Sequence, residues 1–176
     1  MGAIKFFYKR RHPDVQDDDL PYWCKFSLWQ GVKKITRKFF AQSVIPFIPF
    51  NHLRVIGYRL CGFKIGKVNF IGMRCYFDDL CYDKIQIGDD VTISYGVYFA
   101  CHGKGQVHNN IVIKDGAYIG MRASIIAPKN IVIGEGAIVG AMTLVNKDIP
   151  AGRTAVGIPC RILENHKKST YEHPDD

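Results

Sequence analysis

Aliphatic residues return every six positions through the second half of the chain. From Ile65 the units read "IGKVNF", "IGMRCY" and "FDDL", and after a short slip "IGDDVT", "ISYGVY" and "FACHGK", led by Ile87, Ile93 and Phe99. A second run, "IKDGAY", "IGMRAS" and "IIAPKN", starts at Ile113, Ile119 and Ile125, and a third, "IGEGAI", "VGAMTL" and "VNKDIP", at Ile133, Val139 and Val145. Gly holds the second position in six of these units, at Gly66, Gly72, Gly88, Gly120, Gly134 and Gly140. A period of six suits neither an amphipathic helix nor a simple hairpin. It is what three short strands per turn require: each unit sends one aliphatic side chain into a triangular core, then turns a corner on a small residue. Stacked coils pair their backbones in parallel and satisfy each other's N–H and C=O groups. The pattern therefore predicts an all-β solenoid of roughly four to five coils between Ile65 and Pro150.

The beat fails between Gly96 and Gly120, in "GVYFACHGKGQVHNNIVIKDGAYIG", and the interruption carries His102 and His108. A loop extruded from the stack at about 101–112 is the expectation. Upstream, Leu28, Val32, Ile35 and Phe39 recur at i, i+4, i+7 and i+11, with Lys33, Lys34, Arg37 and Lys38 on the other side. That spacing predicts a basic amphipathic helix ending near Pro46. The division read from the pattern is a basic, partly helical segment over 1–60, the solenoid over 61–163 and a short tail over 164–176.

Composition refines this picture. The chain has 176 residues, 47% of them hydrophobic, enough for one sizeable core. Its net charge of +8 is uneven: residues 1–50 hold nine Lys/Arg against four Asp, a balance of +5. Such a surface attracts anions. No nucleic-acid-binding module is recognisable, so nucleic acid is not an expected partner. The six cysteines form no C-x-x-C pair and read as reduced, mostly buried residues of a cytoplasmic protein. No secretory signal is evident, and the longest apolar stretch, "SVIPFIPF", is far too short to span a bilayer.

The hexapeptide units, followed by "VNKDIPAGRTAVGIPCRIL" at 145–163, resemble the left-handed β-helix acyltransferases, and the entry "HLRVIGYRLCGFKIGKVNFIG" resembles the lead-in of bacterial sugar and polysaccharide O-acetyltransferases. The closing phrase is similar to the ending of maltose, galactoside and serine acetyltransferases, with Cys160 where Ala is commoner. The resemblance implies a left-handed parallel β-helix, a homotrimer, acetyl-CoA as acyl donor and a saccharide acceptor. It also implies a His beside the extruded loop that takes the proton of the acceptor hydroxyl. Imidazole suits the role because its ordinary pKa leaves it neutral near pH 7. Backbone N–H groups at the corners could hold the oxyanion.

His102 follows the strand-like "VYFAC" directly and is the first candidate for the base. His108, deeper in "GKGQVHNN" between residues that Gly103 and Gly105 loosen, is the second. An orienting carboxylate is not readable; Asp78, Asp79 and Asp83 lie one coil upstream and none stands out. By resemblance, Gly120, Gly140 and Ala141 line the path of CoA, while Lys147 and Arg161 lie near its phosphates, for which basic groups are suited.

Several alternatives stay open at this point. Acetylation of an amino sugar or of serine fits the same motifs, because acceptor pockets are built from variable loops. Zinc-dependent carbonic anhydrases share the prism and use three histidines, but His52, His166, His173 and His12 lie outside the repeats, and no metal is expected. An inert β-helix scaffold is the remaining reading. The basic helix either docks on an anionic membrane, which would make the protein peripheral at its inner face, or packs on its own prism.

Overall fold

The structure, a computed structural model, describes residues 3–16, 18–21, 24, 27–78, 81–102 and 107–163. The chain forms two compact units, Met1–Phe40 and Ala41–Asp176. Residues 41–60, which the pattern groups with the N-terminal segment, belong to the second unit.

The first unit contains α1 (Ala3–Arg11) and α2 (Leu28–Phe39). Ser27 starts α2 with a capping box. Its hydroxyl accepts from the Gln30 N–H at 3.2 Å, and the Gln30 side chain accepts from the Ser27 N–H at 2.9 Å. The expected apolar positions do share a face, and that face is exposed: Leu28, Val32, Ile35 and Phe39 are all more than half accessible.

A π-helical turn (Phe40–Val44) spans the boundary, and the second unit continues with a short 3-10 turn at Pro46 and α3 (Asn51–Leu60). Strands then follow in threes. β1 (Lys64–Ile65), β2 (Phe70–Ile71) and β3 (Tyr76–Phe77) make the first coil, and β4 (Ile85–Ile87), β5 (Thr92–Ile93) and β6 (Tyr98–Ala100) the second. β7 (Ile111–Ile113), β8 (Tyr118–Ile119) and β9 (Ser124–Ile126) make the third, and β10 (Ile131–Ile133), β11 (Ile138–Val139) and β12 (Leu144–Val145) the fourth. Equivalent strands stack into three parallel faces, β1-β4-β7-β10, β2-β5-β8-β11 and β3-β6-β9-β12. β13 (Thr154–Val156) extends the second face, and β14 (Arg161–Leu163) folds back on it antiparallel.

The six-residue period is the cause of this shape. Ile71, Ile93, Ile119 and Val139 from the second face meet Phe77, Phe99, Ile125 and Val145 from the third, all fully buried. Phe77 and Phe99 stack at 4.8 Å with an 11° interplanar angle. Corners demand left-handed backbone, which Gly96 (φ 68°) and Gly116 (φ 66°) take without strain.

The first coil has no coil before it, so its outward-facing backbone groups need other partners. Side chains of the lead-in segment supply them. Buried Arg54 donates to the Ile71 carbonyl through Nε (2.9 Å) and Nη2 (2.6 Å), and to the Ile48 carbonyl through Nη1 (2.5 Å). Asn51 accepts from the Ile71 N–H and donates to the Asn69 carbonyl, both at 2.9 Å. Gln42 donates to the Phe77 carbonyl at 2.6 Å, and Arg59 to those of Ile65 and Gly66.

Candidate active site

The third face delivers its strands to the corner where the repeat breaks. β6 runs through Ala100 into Cys101 and His102, and the chain rejoins the stack at Ile111. The base of the excursion is tied down. The Asn109 N–H donates to the Cys101 carbonyl at 2.8 Å, the Asn109 side chain to the Ala127 carbonyl at 2.9 Å, and the Asn110 N–H to Asn130 Oδ1 at 2.8 Å. His102 and His108 face each other in an antiparallel bridge across this mouth. Gly103 and Gly105 lie outside the described residues.

One coil earlier, β3 ends in Asp78. Because Phe77 pairs with Phe99, Asp78 is set level with Ala100, beside the exit of the loop. Its side chain is wholly buried, which is costly for a carboxylate unless donors surround it. They do. Oδ2 accepts from the Cys101 N–H at 2.9 Å and lies 2.5 Å from His102 Nδ1, and the Cys81 thiol hydrogen-bonds the same carboxylate. His102 itself is 33% exposed. A carboxylate fixes the proton on Nδ1 and leaves Nε2, on the far side of the ring, with a lone pair. This arrangement can accept a proton from a hydroxyl at the mouth and hold the resulting imidazolium.

Burial raises the neighbouring thiols. Cys81 is pushed up to about 12 by burial and by the Asp78 carboxylate, and Cys101 is raised further by the same two causes. Both are therefore thiols at neutral pH, not thiolate nucleophiles. Asp78, Cys81 and His102 still bring an oxygen, a sulfur and a nitrogen within 4.8 Å of one another. This donor set does not fit a metal as it stands. Two ligands of a tetrahedral zinc sit about 3.3 Å apart at ordinary bond lengths, and Nδ1 and Oδ2 are in direct hydrogen-bond contact. Among the described residues, no three histidines gather; His52 is exposed in the first turn of α3, and His166 and His173 lie outside the described residues.

Sequence reasoning left the carboxylate open among three aspartates. Asp83 is exposed and Asp79 lies outside the described residues, whereas Asp78 touches His102. The signal was present in the register. "FDDL" and "FACHGK" are the same unit of successive coils, so the residue after Phe77 must lie beside the chain that leaves Phe99.

The five residues assigned to CoA divide between two edges. Gly120, Gly140 and Ala141 occupy the corner between the second and third faces, after β8 and β11. Lys147, exposed, follows β12 at the His102 corner; the paired strands align it with Cys101 two coils away, about 10 Å along the axis. Arg161, also exposed, opens β14 on the second face opposite Val156. The two glycines have a reason of their own to be small. A Cβ on Gly120 would sit 2.5 Å from the Ala141 nitrogen, and one on Gly140 2.9 Å from Val156 Cγ1, so stacking of the next coil demands glycine. Ala141 is exposed at the same corner. Two surface depressions lie elsewhere: one follows the first face from Lys64 to Asp115, the other lies between α3 and the 67–70 turn.

No family model and no curated protein matches the chain. Solved structures do. A hexapeptide-repeat-containing acetyltransferase from Vibrio cholerae O1 biovar eltor, complexed with acetyl coenzyme A, superposes with a TM-score of 0.64 at 23% identity, over 78% of this chain and 89% of that one. A maltose O-acetyltransferase from Clostridium difficile 630 gives 0.59 at 23% identity, over 81% and 90%. A galactoside acetyltransferase in complex with coenzyme A gives 0.60 at 18% identity, over 80% and 84%. The stacked triplets and these superpositions agree: the chain has the left-handed parallel β-helix fold of the hexapeptide-repeat acetyltransferases.

Proposed function

We propose that the protein is an acetyl-CoA-dependent O-acetyltransferase acting on a sugar hydroxyl, with His102 as general base and Asp78 as its positioning residue. The observation that carries this reading is the buried Asp78 carboxylate held against Nδ1 of a partly exposed histidine where the loop leaves the stack. An alcohol is a poor nucleophile, and a base oriented by a carboxylate is the arrangement that activates one. Nε2 takes the acceptor proton as the hydroxyl oxygen attacks the thioester carbonyl. The C–O bond forms, the tetrahedral intermediate collapses with loss of the C–S bond, and the imidazolium returns its proton to the departing CoA sulfur. Asp78 stabilises the imidazolium between these steps without accepting the proton itself. His108, across the mouth from His102, is assigned to the acceptor side. Lys147 and Arg161 carry the positive charge offered to the CoA phosphates. Coenzyme-bound neighbours of the same fold support the choice of donor.

The assembly implied is a homotrimer. Within one chain the base stands at one edge of the third face and the Gly140–Ala141 corner at the other, so a cleft using both needs a second chain. Exposed apolar residues support such a contact: Tyr118 and Ile138 side by side on the second face, Met121 and Met142 at the corner, Ile126 on the third face. Mono- and oligosaccharides, amino sugars and serine, incubated with acetyl-CoA while free thiol is followed, test the reaction and the acceptor class together. Thiol release with a hydroxyl-only saccharide is the expected outcome; release only with amine acceptors sinks the O-acetyl assignment.

A further inference from the structure

We infer that α2 seats the protein on an anionic lipid surface, lying in the headgroup plane with its apolar face inward. The inference goes beyond acyl transfer and does not depend on it. At about 100° per residue, Leu28, Val32, Ile35 and Phe39 fall in one narrow arc, with Trp29 at its border. These five side chains are 52–76% exposed. Lys33, Lys34, Arg37 and Lys38 occupy the opposite arc, and α2 contains no acidic residue. Its capping box lets the helix begin without support from elsewhere.

α1 repeats the composition, with exposed Phe6 and Phe7 and a last turn of Lys9, Arg10 and Arg11. Apolar exposure of this extent needs a cover, and charge selects which one. A second copy would bring the same excess of +5 over residues 1–50 against the first, which disfavours self-association. An anionic leaflet attracts that excess, lets lysine stems reach back to headgroups, and accepts an indole at the interface. No described helix is long and apolar enough to cross a bilayer, so the helix lies on the surface instead of spanning it.

The test uses the full chain and needs no acetyl donor, so its failure leaves the acyl-transfer reading standing. The sequence has two tryptophans, and Trp23→Phe leaves Trp29 as sole reporter. Vesicles of phosphatidylcholine alone are compared with vesicles containing about 30% phosphatidylglycerol, which carry a negative surface potential. Cosedimentation with the anionic vesicles only, a blue shift of Trp29 emission and release by high salt are expected. Ile35→Glu should abolish binding while the Tm of the chain is kept. Neutralising Lys33 and Lys38 to Gln should weaken partitioning about twentyfold or more, since each basic group near an anionic surface counts for roughly fivefold. Wild-type sedimentation guards against a misfolded Trp23→Phe reporter. Equal binding to neutral vesicles, binding that survives Ile35→Glu, no binding at all, or a Trp29 shift that follows protein concentration without lipid each overturns the inference.

Discussion

In the proposed reaction Asp78 acts through His102, and that division of labour separates their variants. His102→Ala removes the proton acceptor, so turnover should fall by about 10²–10⁴-fold while the apparent affinity for acetyl-CoA stays near normal. Asp78→Asn keeps the shape but can no longer stabilise the imidazolium or fix the tautomer; turnover should drop steeply, and the pH–rate profile should shift as well. A merely structural Asp78 would leave that profile in place once stability is matched. His108→Ala should touch only the acceptor's KM. If it instead abolishes turnover while His102→Ala does not, the base has been placed on the wrong side of the mouth. Lys147→Ala and Arg161→Ala should each raise the KM for acetyl-CoA about tenfold or more, the worth of one charge-assisted contact, with kcat largely kept. The buried thiols make a separate prediction. Cys75 and Cys81 are raised by burial from 9.0 to about 11 and about 12. A folded-state value above the unfolded one means that this contribution is full below pH 9 and is lost as pH rises through 11–12. Urea midpoints measured from pH 8 to 11 should therefore fall, and Cys75→Ala with Cys81→Ala should flatten the decline.

At the scale of elements, the coils were legible because each strand reports its own inward residue. Every unit-leading aliphatic from Ile71 to Val145 that the six-residue spacing places inside is buried. The cap was not legible. Arg54 reads in sequence as one more charge of the basic N-terminal segment, and only the empty place before the first coil explains why it is buried. Its guanidinium stands in for a missing strand, and so does the Asn51 amide. Arg54→Met keeps much of the stem but orphans the Ile71 and Ile48 carbonyls, at about 1–3 kcal/mol for each buried group left unmade. A clear drop in Tm is expected, with the circular dichroism of the prism unchanged before melting. An unaltered Tm would mean that water replaces the guanidinium and the cap is dispensable. The basic helix lies between these cases. Its periodicity was plain, but what its apolar face meets depends on surroundings that no local pattern encodes.

The whole molecule poses the question that a single chain answers least. The Asp78–His102 pair became visible once coils were aligned, since register converts a gap of twenty-four residues into a contact. The CoA side offers no such conversion: Gly140 and Ala141 lie across a face from His102, roughly 15–20 Å away by strand length, and no register within one chain closes that span. The proposed three-fold ring would close it, because a closed heterologous contact sets one edge of each prism beside the opposite edge of its neighbour. Sedimentation should then give a three-chain species at micromolar concentration. Tyr118→Glu with Ile138→Glu should release folded, inactive single chains. Mixing decides whether the site is shared. His102→Ala removes the base from one edge, and Ala141→Trp blocks the corner at the other; each homotrimer should be inactive. Unfolded together and refolded, the two variants form mixed rings in which about a quarter of the clefts combine an intact His102 from one chain with an intact Ala141 from the next. Activity near that fraction of wild type is expected. No recovery, in mixtures proven to contain both chains, would place base and donor on the same subunit and return the ring to a structural role.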